Sequence, residues 1–323
     1  MFDKNIVSEE YINFNLVAET KKSEYLNANP FPSIILDQFF NDNFLNQVLK
    51  DYPDLSKIDS SQKYSNKNEV KFANNDYENF PSSIKKLFDF MNSNIFLEFL
   101  QRITSIKEKL IIDKELNGGG LHEIKSGGVL KVHTDFNRHP TLDLDRRINI
   151  LIYLNKNWKK NYGGDLELWD QDVKYRGKKI EPSFNRMVIF STNDFSNHGH
   201  PDPINCPRNV SRKSVALYYF SKGRPSTDLN NENSKNKTYF KNRFGFESET
   251  SNQDEKMKNY FRKFKFYKYL KELEKKYLRK KKKLDVFSKI ILKNKRCLLL
   301  FWNTNNIFTY RKKNIIIIFK SKS

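Results

Sequence analysis

From about residue 108 onward the apolar residues come in short runs separated by Gly, Asn, Asp and Pro. The runs are Leu110–Ile112, Gly120–Ile124, Val129–Phe136, Ile148–Leu154, Gly164–Trp169, Lys179–Pro182, Met187–Ser191 and Ser214–Phe220. Each is too short for an amphipathic helix to bury a face, and the breaks carry turn residues, so the spacing predicts successive short strands. No helical pattern lies between them. This excludes a parallel sheet built from βαβ units and leaves a sandwich or barrel.

The region before residue 108 reads differently. Phe31–Phe40 is a strand pattern. Asn41/Asp42 then start a helix that carries Phe44, Leu45, Val48 and Leu49, and Asp51-Tyr52-Pro53 ends it. An Asn/Ser/Lys-rich stretch to about residue 76 reads as loop. Pro81-Ser82-Ser83 opens a second helical pattern with Ile84, Leu87, Phe88 and Met91, continued by Ile95, Phe96, Phe99 and Leu100. Residues 1–30 are polar and offer no clear site. Helices first and strands second predict an α+β protein in which N-terminal helices pack on one face of a double-stranded β-helix, or jelly-roll, core. The expected divisions are a strand-and-helix support layer over 1–107, the β-core over 108–225, a polar linker over 226–255 and a basic tail over 256–323. Within the linker, the aromatics of Thr238–Phe246 are expected to fold back.

Net charge matters only once it is located. The chain carries +21, yet residues 256–323 hold 23 Lys and Arg against three acids, so the remaining 255 residues are close to neutral. A groove for a phosphate backbone needs clustered cations on its binding face, and the body lacks that excess. The tail has helical character around Phe261–Leu278, followed by Arg279-Lys280-Lys281-Lys282-Lys283. It is expected to be helical or partly disordered, and its charge suits an anionic membrane surface or nucleic acid. Two distant cysteines, Cys206 and Cys297, fit a reducing compartment and no thiolate metal site. The N-terminus lacks a basic segment followed by an apolar one, and the apolar runs Cys297–Trp302 and Ile315–Phe319 are far shorter than a spanning helix. A cytoplasmic protein is expected, membrane-peripheral if the tail binds lipid.

The chemistry concentrates in the strand-rich region, which holds all five histidines: His122, His133, His139, His198 and His200. Within Leu130–Phe136, His133 and Asp135 stand two apart in an extended segment and so share a face. An imidazole beside a carboxylate offers two ligands to a divalent metal, and a second distant histidine would complete the two-His, one-carboxylate set of non-heme iron sites. His198 and His200 compete for that place. Fourteen residues beyond His198, Arg212 stands at the entrance of a core strand, where a buried cation needs an anion; Arg208 is its competitor. Arg146 and Arg147, just ahead of another core strand, read as a solvated pair, with substrate contact as the other reading. His139 falls in a loop, and Trp158 and Trp169 read as structural.

In order and spacing these pieces resemble the iron(II)/2-oxoglutarate-dependent dioxygenases, in their prolyl 4-hydroxylase-like branch. The resemblance covers roughly residues 118–223. Gly127-Gly128-Val129-Leu130-Lys131-Val132-His133-Thr134-Asp135 matches the strand with the family's HxD. Ile152-Tyr153-Leu154-Asn155 and Gly163-Gly164-Asp165-Leu166-Glu167-Leu168 match the strands that follow it. Asn185-Arg186-Met187-Val188-Ile189-Phe190 precedes the distal His-Gly, and Arg212 precedes the last strand. The resemblance implies Fe(II) held by His133, Asp135 and His198, and 2-oxoglutarate held through its C5 carboxylate by Arg212 with Tyr153. It also implies ascorbate as reductant, dioxygen as co-reactant, and hydroxylation of an unactivated C–H bond, by family default in a prolyl residue of a protein or peptide. The family's His-Gly pattern favours His198 over His200; His122 and His200 are left as candidate substrate-pocket residues. Two other readings stand beside it: a non-oxidative metal-binding module tethered by the basic tail, and the same oxygenase chemistry on a glycan or small metabolite. Arg212 discriminates the first of these, since a pure metal module needs no carboxylate clamp.

Overall fold

The computed structural model describes residues 3–229, 237–246 and 249–250, together with four strands between residues 288 and 321. It divides into two units, Met1–Glu255 and Lys256–Ser323.

The first unit begins with α1 (Phe14–Leu26), β1 (Ser33–Asp37), α2 (Asp42–Asp51), the hairpin β2 (Gln62–Ser65) and β3 (Val70–Asn74), α3 (Ser82–Met91) and α4 (Asn94–Thr104). Asn41 starts α2 as its cap, its side-chain oxygen accepting from the amides of Asn43 and Phe44. The long second helical pattern is two helices rather than one, because Asn92 closes α3 and the Ser93 hydroxyl caps α4 by accepting from Phe96. Residues 1–30, where no site was expected, contain the helix α1, whose Phe14 packs on Phe39, Phe96 and Phe99. Its apolar positions are few because only one stripe meets the core. One expectation is corrected: the Asn/Ser/Lys-rich loop contains β2 and β3, which gain their stability by pairing onto the sheet edge rather than by apolar alternation.

The core strands follow: β4 (Ile111–Ile112), β5 (Gly120–Lys125), β6 (Leu130–Thr134), β7 (Asp145–Tyr153), β8 (Leu166–Trp169), β9 (Arg176–Ile180), β10 (Arg186–Ser191), β11 (Asn197–His200), β12 (Ser211–Ser221) and β13 (Tyr239–Phe240). The larger sheet runs β1-β10-β7-β12-β5-β3-β2, with β4 added on β12; the smaller runs β13-β6-β11-β8-β9. From β5 to β12 the chain crosses repeatedly between the two, and all pairings in both sheets are antiparallel. This is the jelly-roll arrangement.

Strand alternation sorts the larger sheet's side chains. Ile148, Ile150 and Ile152 of β7, Met187 and Ile189 of β10, and Val215, Leu217 and Tyr219 of β12 join the helical layer in one apolar core with Leu45, Leu87, Phe96 and Leu100. The alternate residues Tyr153, Val188 and Phe190 pack instead on Leu166, Leu168 and Ile180 of the smaller sheet. Each large aliphatic side chain so buried contributes about 1.5–3 kcal/mol. The second face of β7 and β12 is thus left for the polar residues between the sheets.

The second unit's described residues form one sheet of β14 (Ser288–Lys293), β15 (Arg296–Trp302), β16 (Asn306–Lys312) and β17 (Ile315–Ser321), ordered β14-β15-β17-β16, with β15 and β17 parallel. The two apolar runs of the tail are β15 and β17. The helix expected at Phe261–Leu278 lies outside the described residues. Among the described residues no helix is long and apolar enough to cross a membrane.

Candidate metal centre

His133 lies on β6, Asp135 follows the end of that strand, and His198 lies on β11. The pairing of β6 with β11 sets His198 directly opposite His133. That pairing needs Gly199: a Cβ there would stand 2.7 Å from the Leu130 carbonyl oxygen and 2.9 Å from that of Lys131, both backbone atoms. The three side chains each present a ligand atom within 4.8 Å of the others. Nε2 of His133 is 3.4 Å from Oδ1 of Asp135, and Nε2 of His198 is 3.3 Å from Oδ2.

The imidazoles are oriented by their other nitrogens. Nδ1 of His133 bonds the Lys131 carbonyl at 2.7 Å, and Nδ1 of His198 bonds the Ser196 carbonyl at 3.0 Å. A carbonyl only accepts, so each Nδ1 carries the proton and each Nε2 keeps its lone pair toward the shared centre. Burial, with His198 alongside, pushes His133 below its ordinary value, which favours the neutral ring a metal requires. These residues fit a divalent metal with open positions.

The carboxylate has its own support. Nδ2 of Asn149 donates to Oδ2 of Asp135 at 2.6 Å, Nη2 of Arg146 donates to the same oxygen at 3.0 Å, and Nε of Arg146 donates to Oδ1 of Asn149 at 2.8 Å. Burial would raise the Asp135 carboxyl, but the Arg146 cation and the histidine contacts outweigh it and hold it well below the usual carboxylate range. Arg146 is fully buried, its guanidinium 3.3 Å from the ring centre of Tyr218 and 4.6 Å from that of Phe136. The expectation of a solvated Arg146–Arg147 pair is therefore corrected. Both are buried within β7, and Arg147 turns away to Glu108, Ser221 and Gly223. The register of β7 against β12 slips here, pairing Phe220 with Arg146, and that bulge turns Arg146 toward Asn149. Asn149 went unnoticed as a site residue in the sequence, where a polar residue between Ile148 and Ile150 was the one available sign, and nothing there tied Arg146 to Asp135.

Arg212 is buried, whereas its competitor Arg208 is exposed. Its Nε donates to the Gly164 carbonyl at 2.7 Å and its Nη2 to the Tyr153 hydroxyl at 3.2 Å. No carboxylate pairs with it among the described residues. A buried cation left in that state is costly, so Arg212 is a residue that could hold an anionic group. Register places Tyr153, Ser214 and His122 side by side across β7, β12 and β5, on the face that also carries Arg212. Burial, with the charges of Lys71 and Arg212, pushes His122 down to about 3, and its Nε2 meets the Gly118 carbonyl at 3.2 Å. His200, two residues beyond His198, is buried with neither ring nitrogen hydrogen-bonded, and burial and Arg212 hold it well below its ordinary value. His139 lies in a loop against Asp113 and Phe220, apart from the triad. β11, the strand carrying His198, was not among the expected strands, since Asn-His-Gly-His shows no apolar alternation.

Known proteins match parts of this chain. A family model described as the 2OG-Fe(II) oxygenase superfamily matches residues 119–220. Mouse (Mus musculus) prolyl 3-hydroxylase OGFOD1 is 32% identical over 88 residues, which cover 25% of this chain and 16% of that protein; the match thus spans about a sixth of the relative's length. Among solved structures, a Trichoplax adhaerens prolyl hydroxylase in complex with a hypoxia inducible factor oxygen degradation domain peptide fragment matches at 18% identity and TM-score 0.49, over 66% of this chain and 93% of that one. A Phytophthora capsici prolyl 4-hydroxylase matches at 16% identity and TM-score 0.46, over 68% of this chain and 70% of that one. The family match encloses His133, Asp135, His198, Tyr153 and Arg212, so over residues 119–220 the chain is similar to the 2OG-Fe(II) oxygenase superfamily.

Proposed function

We propose that this protein is an iron(II)- and 2-oxoglutarate-dependent dioxygenase that hydroxylates an unactivated C–H bond in a prolyl residue of a protein or peptide. The observation that carries the reading is the convergence of His133, Asp135 and His198 on one point, with both Nδ1 atoms tied to backbone, in the same domain as a buried arginine that lacks a carboxylate. In this reading the triad holds Fe(II). The metal and cosubstrate supply the oxidising power, drawn from dioxygen and the decarboxylation of 2-oxoglutarate to succinate, with ascorbate as the reductant that keeps the iron ferrous.

The protein's own residues bind and orient. With Nε of Arg212 committed to Gly164, the remaining guanidinium edge offers parallel N–H donors to a C5 carboxylate. The Tyr153 hydroxyl accepts from Arg212 and so has its own hydrogen free to donate to the same carboxylate. Arg146 and Asn149 keep Asp135 ionised and in one orientation. His122, half-buried, and His200, buried, are held neutral by desolvation and are assigned to the substrate side of the pocket. The substrate class is supported by the likeness to prolyl hydroxylases. The charge of residues 256–323 supports a contact with an anionic membrane surface or nucleic acid, and the cysteine usage supports a cytoplasmic setting.

The test is succinate formation by the purified chain with Fe(II), 2-oxoglutarate and ascorbate, alone and with proline-containing peptides. Turnover that disappears in His133→Ala and falls in Arg212→Ala is the expected result. Succinate production indifferent to His133→Ala would reject the assignment.

A further inference from the structure

Beyond the stretch matched to the superfamily, residues 237–246 and 249–250 return to the metal centre. β13 adds itself to the open edge of β6, pairing Tyr239 with Thr134 and Phe240 with His133, and the Lys241 amide donates to the Val132 carbonyl at 2.8 Å. Opposed residues in adjacent strands share a face, so Phe240 lies on the side of the sheet that carries the histidine. Its ring centre is 5.3 Å from that of His133. The segment then closes on itself through Arg243. Nε and Nη2 of Arg243 bond the two Glu249 oxygens at 3.1 and 2.7 Å, while Nη2 and Nη1 bond Asp202 at 2.7 and 3.3 Å. Glu249 also accepts from Nζ of Lys131 at 3.0 Å, and that ammonium donates to the Pro201 carbonyl at 2.6 Å.

The two ends of this cluster are informative. Lys131 belongs to β6, and its carbonyl is the acceptor that orients His133. Pro201 and Asp202 directly follow β11, the strand of His198. A third anchor sits beside His198 on its other side: Nζ of Lys241 donates to the Gln171 carbonyl, which also accepts from the Asn197 amide. The segment therefore grips both strands that bear the histidines, at points no more than four residues from each ligand. The Arg243 and Glu249 side chains are buried, so their mutual contact is little screened by solvent, whereas Asp202 is exposed.

We infer that residues 237–246 together with Glu249 form a clasp that sets the spacing of His133 and His198, with Arg243 and Glu249 as positioning residues and Phe240 as a wall of the metal pocket. The inference rests on the reading of His133, Asp135 and His198 as metal ligands. Partners behind metal ligands typically change metal affinity by about 10–100-fold when removed, and the clasp acts at one remove, at the lower end of that range.

The experiment measures Mn(II) binding to the full chain by the electron paramagnetic resonance of free Mn(II), well below the melting temperature of each variant. Arg243→Met and Glu249→Gln are expected to weaken binding about tenfold, and Arg243→Lys to recover only part, since it restores the charge without the fork. Leu45→Ala, in the helical core, lowers the melting temperature and is expected to leave Mn(II) affinity unchanged. Should Arg243→Met fail to fold, Glu249→Gln, which keeps the side-chain shape, and Phe240→Ala carry the test. Unchanged affinity in the clasp variants, or an equal loss in Leu45→Ala, overturns the clasp. His133→Ala separates the two readings: if it binds Mn(II) as the wild type does, the triad itself is wrong, and the clasp's role falls with it.

Discussion

Asn149 holds Asp135 with its amide nitrogen and Arg146 with its amide oxygen, at 2.6 and 2.8 Å. One short side chain thus sets the angle between a carboxylate and the guanidinium that neutralises it. The Thr192 hydroxyl donates to the same amide oxygen at 3.0 Å and fixes which end of the amide points where.

Arg146→Met keeps the volume and removes the charge. Asp135 would then be buried with one donor in place of two. Metal affinity is expected to fall about 10–100-fold, read by titration of Mn(II) against wild type and variant. Unfolding in urea should show a loss of about 3–5 kcal/mol, the cost of leaving one member of a buried pair alone.

Arg212→Lys preserves the cation but not the planar fork. The apparent KM for 2-oxoglutarate is expected to rise about 30- to 150-fold, the scale of about 2–3 kcal/mol for a truncated buried contact, with a smaller change in kcat. Steady-state succinate formation at varied 2-oxoglutarate separates the two parameters. A fall in kcat alone would place Arg212 away from cosubstrate binding.

Gly199→Ala tests the approach of β11 to β6. Its Cβ would press on two backbone oxygens that no rotamer change can move. The strands must separate, at a cost of about 1–3 kcal/mol, and the separation falls on the residue next to His198. A lower melting temperature together with weaker Mn(II) binding is expected, whereas Gly127→Ala, where the added atom meets nothing, should leave metal binding unchanged.

Glu249 makes the clasp sensitive to acid. Burial raises its carboxyl, but Arg243 and Lys131 outweigh burial and hold it below its ordinary value, with Asp202 sharing the same arginine. A carboxylate whose folded value is depressed contributes stability that is fully present above its unfolded value and is lost as pH falls through the folded one. Denaturant stability of the wild type should therefore decline below about pH 4.3, the ordinary value for glutamate. Glu249→Gln should start lower at neutral pH and lose less over the same interval. Parallel pH profiles for the two proteins would show that Glu249 does not carry the effect.

Much of this arrangement is legible in the chain. Short apolar runs between turn residues can bury themselves only as strands, and their alternation divides Ile148, Ile150 and Ile152 from Asn149 and Tyr153 without reference to any fold. The two-residue step from His133 to Asp135 puts both on one face of an extended segment, and Arg212 ahead of an apolar strand announces a buried cation. These are local rules, set by the period of a strand and the cost of desolvation. Long-range geometry decided the rest. Alternation by itself would have turned Arg147 toward Asn149; the bulge where β7 meets β12 gave that place to Arg146. β11 carries no apolar pattern and is a strand because β6 and β8 supply its hydrogen bonds, which is also why His198 faces His133. Residues 237–246 and 249–250 join the metal centre through backbone pairing and an ion cluster that ties Arg243 and Glu249 to Asp202 and Lys131, 41 and 118 residues away along the chain, and no local periodicity encodes contacts of that kind.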